Sequence, residues 1–119
     1  MSHTGHIPAD GQVKGSAMAQ AAATNSVVIL LNGEIDLANS TEVGDQICAA
    51  MSGDDERPVV VDCSGVTFID SRGIAMLARV QRAFSAAGRS LIWRGFNDHT
   101  LKVLRLLGVD DYLAIVDDL

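Results

Sequence analysis

The sequence predicts an α/β domain built on a mixed, mostly parallel sheet of four to five strands with helices packed against it. Three observations carry that expectation. Aliphatic runs beginning at Val27 and Val59 read as buried strands, because parallel strands covered on both faces give near-continuous apolar stretches. A segment of helical spacing follows each of them, first from Ser40 and then from Ser71. The alternation continues to the C-terminus, and strand–helix–strand repetition implies parallel crossovers.

Composition fits one small domain. The chain has 119 residues, and 48% hydrophobic content suffices for a single core. Only 4% of residues are aromatic, so Val, Ile, Leu and Ala must fill that core. A net charge of −6 argues against nucleic-acid binding, which needs clustered Lys and Arg. There is no apolar run long enough to span a membrane, and the first residues lack the apolar core of a signal peptide. A cytoplasmic location is expected.

Residues 1–23 contain Gly5, Pro8, Gly11 and Gly15, scattered polar side chains and an Ala-rich patch without periodicity. They are expected to form a flexible N-terminal tail with a short edge strand over Ser16 to Ala22, leaving 24–119 as the folded domain. Thr24-Asn25-Ser26 reads as a turn. A strand from Val27 to Leu31 is expected to end at Asn32-Gly33, a turn-prone dipeptide, followed by rim residues Glu34 to Asp36. A helix opening at Asn39-Ser40 and running to Met51 places Val43, Ile47 and Ala50 on one face. The acidic stretch Ser52 to Glu56 is expected to be a solvated loop.

The next strand starts at Val59 and is flanked by Pro58 and Gly65, with Cys63 near its end. Asp70 and Ser71 stand where the following helix begins, and Gly73 keeps its first turn free of bulk. That helix carries two apolar stripes, one of Ile74, Leu77, Ala78 and Gln81 and one of Met76, Val80, Ala83 and Ala87. One should face the sheet; the other is either covered by a neighbouring element or open for docking, where Met76 suits adaptable contacts. Arg79 and Arg82 mark the solvent side. The helix is expected to stop near Ala87-Gly88, with Gly88 left-handed. Ser90 to Trp93 reads as a short strand. Asn97 caps a last helix whose Leu101, Leu104 and Leu107 face inward until Gly108 ends it. Tyr112 to Val116 supplies a final strand, and no internal repeat is evident.

Chemistry concentrates at Asp70-Ser71. Their side-chain oxygens suit the unpaired N–H groups of a helix start, and a serine there is accessible while nearby N–H groups help hold a phosphate. The same pair also reads as a cap and nothing more. Cys48 and Cys63 have neither metal-ligand spacing nor a C-x-x-C arrangement, so two reduced, partly buried thiols are expected, with a disulfide only where helix and strand meet. His3 and His6 lack convergent acidic or cysteine partners for a metal. Ser71, His99 and an aspartate do not make a hydrolase without a G-x-S-x-G elbow. Asp62, near a strand end, lacks the acidic pair and lysine of a phospho-aspartate receiver. With no phosphate-binding G-x-x-x-x-G-K motif either, no catalytic residue, cofactor or metal is expected.

Two signatures, Gly33-Glu34-Ile35-Asp36 before one helix and Phe68-Ile69-Asp70-Ser71-Arg72-Gly73 before the next, resemble those of the STAS family. The likeness runs from Thr24 to the C-terminus and is strongest to the stand-alone bacterial anti-sigma factor antagonists. It implies a STAS-like fold and a non-enzymatic binding module. It further implies that Ser71, directly after the motif aspartate, is phosphorylated by a partner that is both anti-sigma factor and serine kinase, using its own Mg-ATP. Asp70 then shapes the phosphorylation loop, and Asp36 lies on the same partner-facing rim. The implied contact set is Asp36, Asp70, Ser71, Arg72, Gly73 and Met76. Docking frees a sigma factor, phosphorylation ends docking, and a phosphoserine phosphatase resets the protein. Arg72 departs from the family's usual D-S-S-G pattern, removing a second hydroxyl and adding a cation that either pairs with a phosphate or stays solvated. An alternative within the fold is a constitutive scaffold subunit of a stressosome-like or transporter-ATPase assembly.

Overall fold

Strands β2 (Val27–Ile35) and β3 (Val59–Ile69) form the spine of the protein, because their aliphatic side chains are buried on both faces of the sheet. In the computed structural model, residues 3–8, 25–52 and 55–116 are described. Around the spine stand β1 (His3–Pro8), β4 (Leu91–Arg94) and β5 (Ile115–Val116), in the sheet order β1-β2-β3-β4-β5. Every pairing among these strands is parallel, which exceeds the mostly parallel sheet expected from the sequence. The helices are α1 (Ser40–Cys48), which tightens into a 3₁₀ turn at Ala49–Met51, α2 (Ser71–Ala86) and α3 (Asp98–Leu106).

Side-chain alternation sorts the strands into two layers. Ile29, Leu31, Val59, Val61, Cys63, Leu91 and Trp93 join Val43, Ile47, Leu77, Val80, Phe84 and Leu104 of the helices in the main core. Val28, Leu30 and Val60 form a second buried cluster, with Ile92 packed against it. The place of α2 beside the sheet and α1 buries most of both apolar stripes. Of the first stripe Ile74, Leu77 and Gln81 are buried and Ala78 is half-buried. Of the second Met76 and Val80 are buried, Ala83 is half-buried and Ala87 is exposed, while Phe84, in neither expected stripe, is buried.

Several elements differ from their expected form. The N-terminal stretch expected as tail contains strand β1, parallel to β2 from His3 opposite Val27 to Pro8 opposite Asn32. The strand expected over Ser16 to Ala22 lies outside the described residues. Asn32-Gly33 does not turn the chain. β2 continues through it to Ile35, with Gly33 at φ 82° and register shifts against β3 on either side. Gly65 likewise lies inside β3, opposite Asn32, where a Cβ would strike the Asn32 side chain and approach the Leu31 carbonyl to 2.9 Å. These glycines serve a bulged pair of strands rather than strand ends.

The acidic loop is fastened where solvation was expected. Asp55 forms an ion pair with Arg57 at 2.6 Å, and Arg89 donates to the Met51 carbonyl at 3.1 Å and to the Asp55 carbonyl. Leu104 alone of the three inward-facing leucines of the last helix is fully buried; Leu101 is half-buried and Leu107 is 60% exposed. Leu107 follows the final turn, where Gly108 takes φ 73° and ends the helix. Gly88 ends α2 as expected. Arg89 N–H donates to the Phe84 carbonyl and Gly88 N–H to the Ser85 carbonyl, the paired bonds of a Schellman stop.

Two buried polar groups tie strands together. Gln81 Oε1 accepts from Trp93 Nε1 at 2.9 Å and from Ala114 N–H at 3.2 Å, linking α2 to β4 and the approach to β5. Asp62, 1% exposed, accepts from Arg94 Nη2 at 3.0 Å and from Ser64 N–H at 2.9 Å. Removing one member of such a pair leaves an uncompensated buried charge. Arg94→Ala should therefore lower stability by about 3–5 kcal/mol in urea denaturation, well beyond an exposed arginine.

Both cysteines carry free thiols. Burial, with the Asp62 carboxylate second, pushes the Cys63 thiol up, and burial also raises that of half-buried Cys48. In the unfolded chain a thiol ionises near pH 8.5, so above that pH the folded state binds the extra proton and stability falls as pH rises. Cys63→Ala should remove that loss. Its denaturation free energy should decline less steeply than wild type by about 1.4 kcal/mol per pH unit between about pH 9 and 11.

Candidate functional site

Parallel pairing of β2 with β3 places Ile35 beside Ile69, so the two sequence signatures end side by side. The chain then leaves the sheet twice, through Asp36 into α1 and through Asp70 into α2. Asp70 joins the two exits. Its N–H donates to the Ile35 carbonyl at 3.1 Å, its Oδ1 accepts from Gly73 N–H at 2.9 Å, and its Oδ2 accepts from Leu37 N–H at 3.2 Å. One carboxylate thus caps α2 and holds the β2–α1 loop.

That loop is also held from within. Asp36 Oδ1 accepts from Ala38 N–H at 2.9 Å, while the Asp36 carbonyl accepts from Ser40 N–H at 2.8 Å. Asn39 Oδ1 accepts from Asp36 N–H at 2.9 Å, and its Nδ2 donates to the Glu34 carbonyl at 2.8 Å. With its side chain so engaged, Asn39 makes no side-chain cap on α1.

Ser71, the first residue of α2, is exposed. Among the described residues nothing hydrogen-bonds its hydroxyl. Arg72 is exposed beside it and forms no ion pair within the same residues. Glu34 is exposed, and Asp36 and Asp70 are half-buried, so the rim around Ser71 carries three carboxylates against one guanidinium.

The structure divides the expected contact set. Asp36, Asp70, Ser71 and Arg72 share the rim. Gly73 is buried beneath it, where a Cβ would strike the Ile69 side chain and lie 3.0 Å from the Ile35 carbonyl. Its contribution is close packing of the first turn of α2, not a contact surface. Met76 is 3% exposed, packed against Gly44 of α1 and forming the floor of a groove between α1 and α2. Of the two alternatives for its stripe, covered by a neighbouring element or open for docking, Met76 takes the covered one. The groove has a volume of about 160 Å³ and is also lined by Ser40, Thr41, Arg72, Ala75 and Arg79.

Two exposed apolar residues of the rim are absent from the expected contact set. Leu37, 66% exposed, lends its N–H to Asp70, and Phe68, 50% exposed, precedes Ile69 and Asp70 at the end of β3. Strict alternation from buried Val66 would have pointed Phe68 inward, but the bulges shift the parity. Of the groups considered for catalysis, His99 is exposed in the first turn of α3, and Asp62 is locked to Arg94. Among the described residues no cluster of three His, Cys, Asp or Glu could hold a metal.

The family model for the Mlab STAS domain matches residues 18–117. The chain belongs to the STAS domain family. Its fold is similar to that of a proposed anti-sigma factor antagonist of Thermotoga maritima, with TM-score 0.68, 19% identity and coverage of 82% of this chain and 84% of that one. SpoIIAA, an anti-sigma factor antagonist in its unphosphorylated form, matches with TM-score 0.60 and 20% identity over 82% and 84%. A sulfate transporter family protein of Wolinella succinogenes matches with TM-score 0.67 and 18% identity over 87% and 86%. Among the described residues no helix is long and apolar enough to cross a membrane.

Asp70→Ala should lower stability by about 1–2 kcal/mol through loss of the cap. Hydrogen exchange should accelerate at the Leu37 and Gly73 amides while the amides of β4 stay protected. A loss spread evenly over the protein would contradict the bridging role.

Proposed function

We propose that this STAS domain is an anti-sigma factor antagonist that docks on an anti-sigma factor serine kinase through the Asp36–Ser71 rim. Docking releases a sigma factor, and phosphorylation of Ser71 ends it. The observation that supports this most is the exposed hydroxyl of Ser71, unengaged among the described residues and set directly after an aspartate whose two carboxylate oxygens accept from backbone N–H groups. The loop presents the serine in a fixed position and leaves it chemically free. The kinase supplies Mg-ATP and the catalytic groups, so this chain contributes only the acceptor oxygen.

Phosphorylation adds a charge of about −1.5 to −2 at neutral pH. Here that charge arrives beside Glu34, Asp36 and Asp70, with Arg72 as the nearest cation in sequence. Exposed Leu37 and Phe68 provide apolar contact on the same rim, which a bulky dianion would hold away from a close-fitting partner. Each 1.4 kcal/mol of lost affinity is tenfold, so a few such units make an effective switch. A phosphoserine phosphatase restores the docking form. SpoIIAA, of the same fold, is known in both unphosphorylated and phosphorylated forms.

A second reading has its own support. The match to the Mlab STAS domain and the likeness to a sulfate transporter family protein favour a constitutive subunit of a transporter-ATPase or stressosome-like assembly. Ser71 would then be the first residue of a capped helix and nothing more.

Capture of partners from cell lysate by wild type and by Ser71→Glu separates the two. Wild type is expected to retain an anti-sigma serine kinase and Ser71→Glu to lose it by tenfold or more, about the 1.4 kcal/mol that tenfold represents. Incubated with that kinase and ATP, wild type should take up phosphate and Ser71→Ala none. Equal recovery of a transporter ATPase or a large scaffold by both would support the constitutive subunit.

A further inference from the structure

The groove between α1 and α2 has features that the switch at Ser71 does not use. Arg72 and Arg79 are two helical turns apart, so they fall on one stripe of α2 with Ala75 and Met76 between them. Three arginines and no acidic residue occur along α2, in a chain whose net charge is −6. The opposite wall is the start of α1, where Ser40 and Thr41 line the groove and the Asn39 side chain does not cap the helix. Ser40 is 6% exposed, and among the described residues its hydroxyl has no hydrogen-bond partner. Ser40 N–H is taken by the Asp36 carbonyl, but among the described residues the Ser40 hydroxyl, the Thr41 N–H and the Arg72 guanidinium have no acceptor of their own.

Arg79 is already placed for such a role. Its guanidinium lies across Gly44, whose missing side chain leaves the room, and Nη2 is 3.5 Å from the Thr41 carbonyl. Nη1 is 3.4 Å from Asp45 Oδ1, a long and exposed pairing that competes weakly for the charge. Glu42, the other carboxylate of this wall, is exposed and accepts from Gln46 Nε2 at 3.4 Å. Asp36 and Asp70 stand at the rim with their oxygens on backbone N–H groups.

We propose that this groove is a binding site for a phosphate monoester, held between the Arg72 and Arg79 guanidiniums and the Ser40–Thr41 start of α1. Donors arriving from two helices suit a tetrahedral dianion better than a planar carboxylate, and arginine is the side chain that meets phosphate oxygens in pairs. The positive end of the α1 dipole adds to the same field. The volume of about 160 Å³ accepts a phosphoryl group and a small substituent, not a whole nucleotide. The site stands independently of phosphorylation at Ser71.

Titration of isotope-labelled, intact protein with inorganic phosphate at neutral pH and constant ionic strength tests this by NMR. Saturable shifts are expected at the Ser40 and Thr41 amides and the Arg72 and Arg79 Nε–H signals, with a dissociation constant of about 1 mM. Arg72→Gln and Arg79→Gln should each weaken binding about tenfold. Arg82→Gln, outside the groove, should bind as wild type does. Tighter binding of O-phosphoserine than of glycerol phosphate would assign the site to a phosphorylated side chain, and the reverse to a small metabolite. Shifts that rise linearly without saturation, or that persist in the Arg72→Gln, Arg79→Gln double variant, overturn the proposal. Because Ser71 stays unmodified and no kinase is present, this result is separate from the fate of the switch.

Discussion

The carboxylate of Asp70 joins two chain segments that leave the sheet in different directions. Its two oxygens serve different masters: Oδ1 completes the first turn of α2, and Oδ2 holds the Leu37 amide of the β2–α1 loop. Without that bridge, the loop carrying Asp36 and Leu37 would lose its side-chain tie to the start of α2. The rim is therefore a single unit, and the orientation of Ser71 relative to Asp36 is set by a backbone network rather than by flexible side chains. Gly73 makes the bridge geometrically possible by letting α2 start against the Ile35 carbonyl.

Much of this arrangement was readable before any coordinates. The aliphatic runs at Val27 and Val59, the capping residues Asp70 and Asn97, and the stops at Gly88 and Gly108 all act through local chemistry that a sequence displays directly. The misreadings share a cause. Asn32-Gly33 and Gly65 look like turn punctuation, yet both sit in a bulged strand pair where each accommodates the other. That mutual fit exists only once β2 lies beside β3, and no window of sequence contains both.

The candidate site was legible to a similar depth. Asp36, Asp70, Ser71 and Arg72 fall on one rim because the motifs end adjacent parallel strands. For Met76 the sequence left cover and docking open, because Gly44, whose lack of a side chain lets α1 cover it, gives no sign of doing so in sequence. Leu37 and Phe68 were left out of the contact set for the converse reason: an apolar residue beside or within a motif looks like core until strand parity is known. Asp62 shows how burial settles a role, since a carboxylate bound to Arg94 inside the protein is structural whatever its place in the strand.

The sheet order β1-β2-β3-β4-β5 repeats the order of the sequence itself. Each described strand therefore docks on the one made just before it, and none has to be inserted between two strands already paired. During synthesis the emerging chain can extend its sheet from β2 onward one crossover at a time, the closures running through α1, α2 and α3 in turn. Among the described strands the two-residue β5 is the shortest, and it offers an incoming chain little edge to pair with.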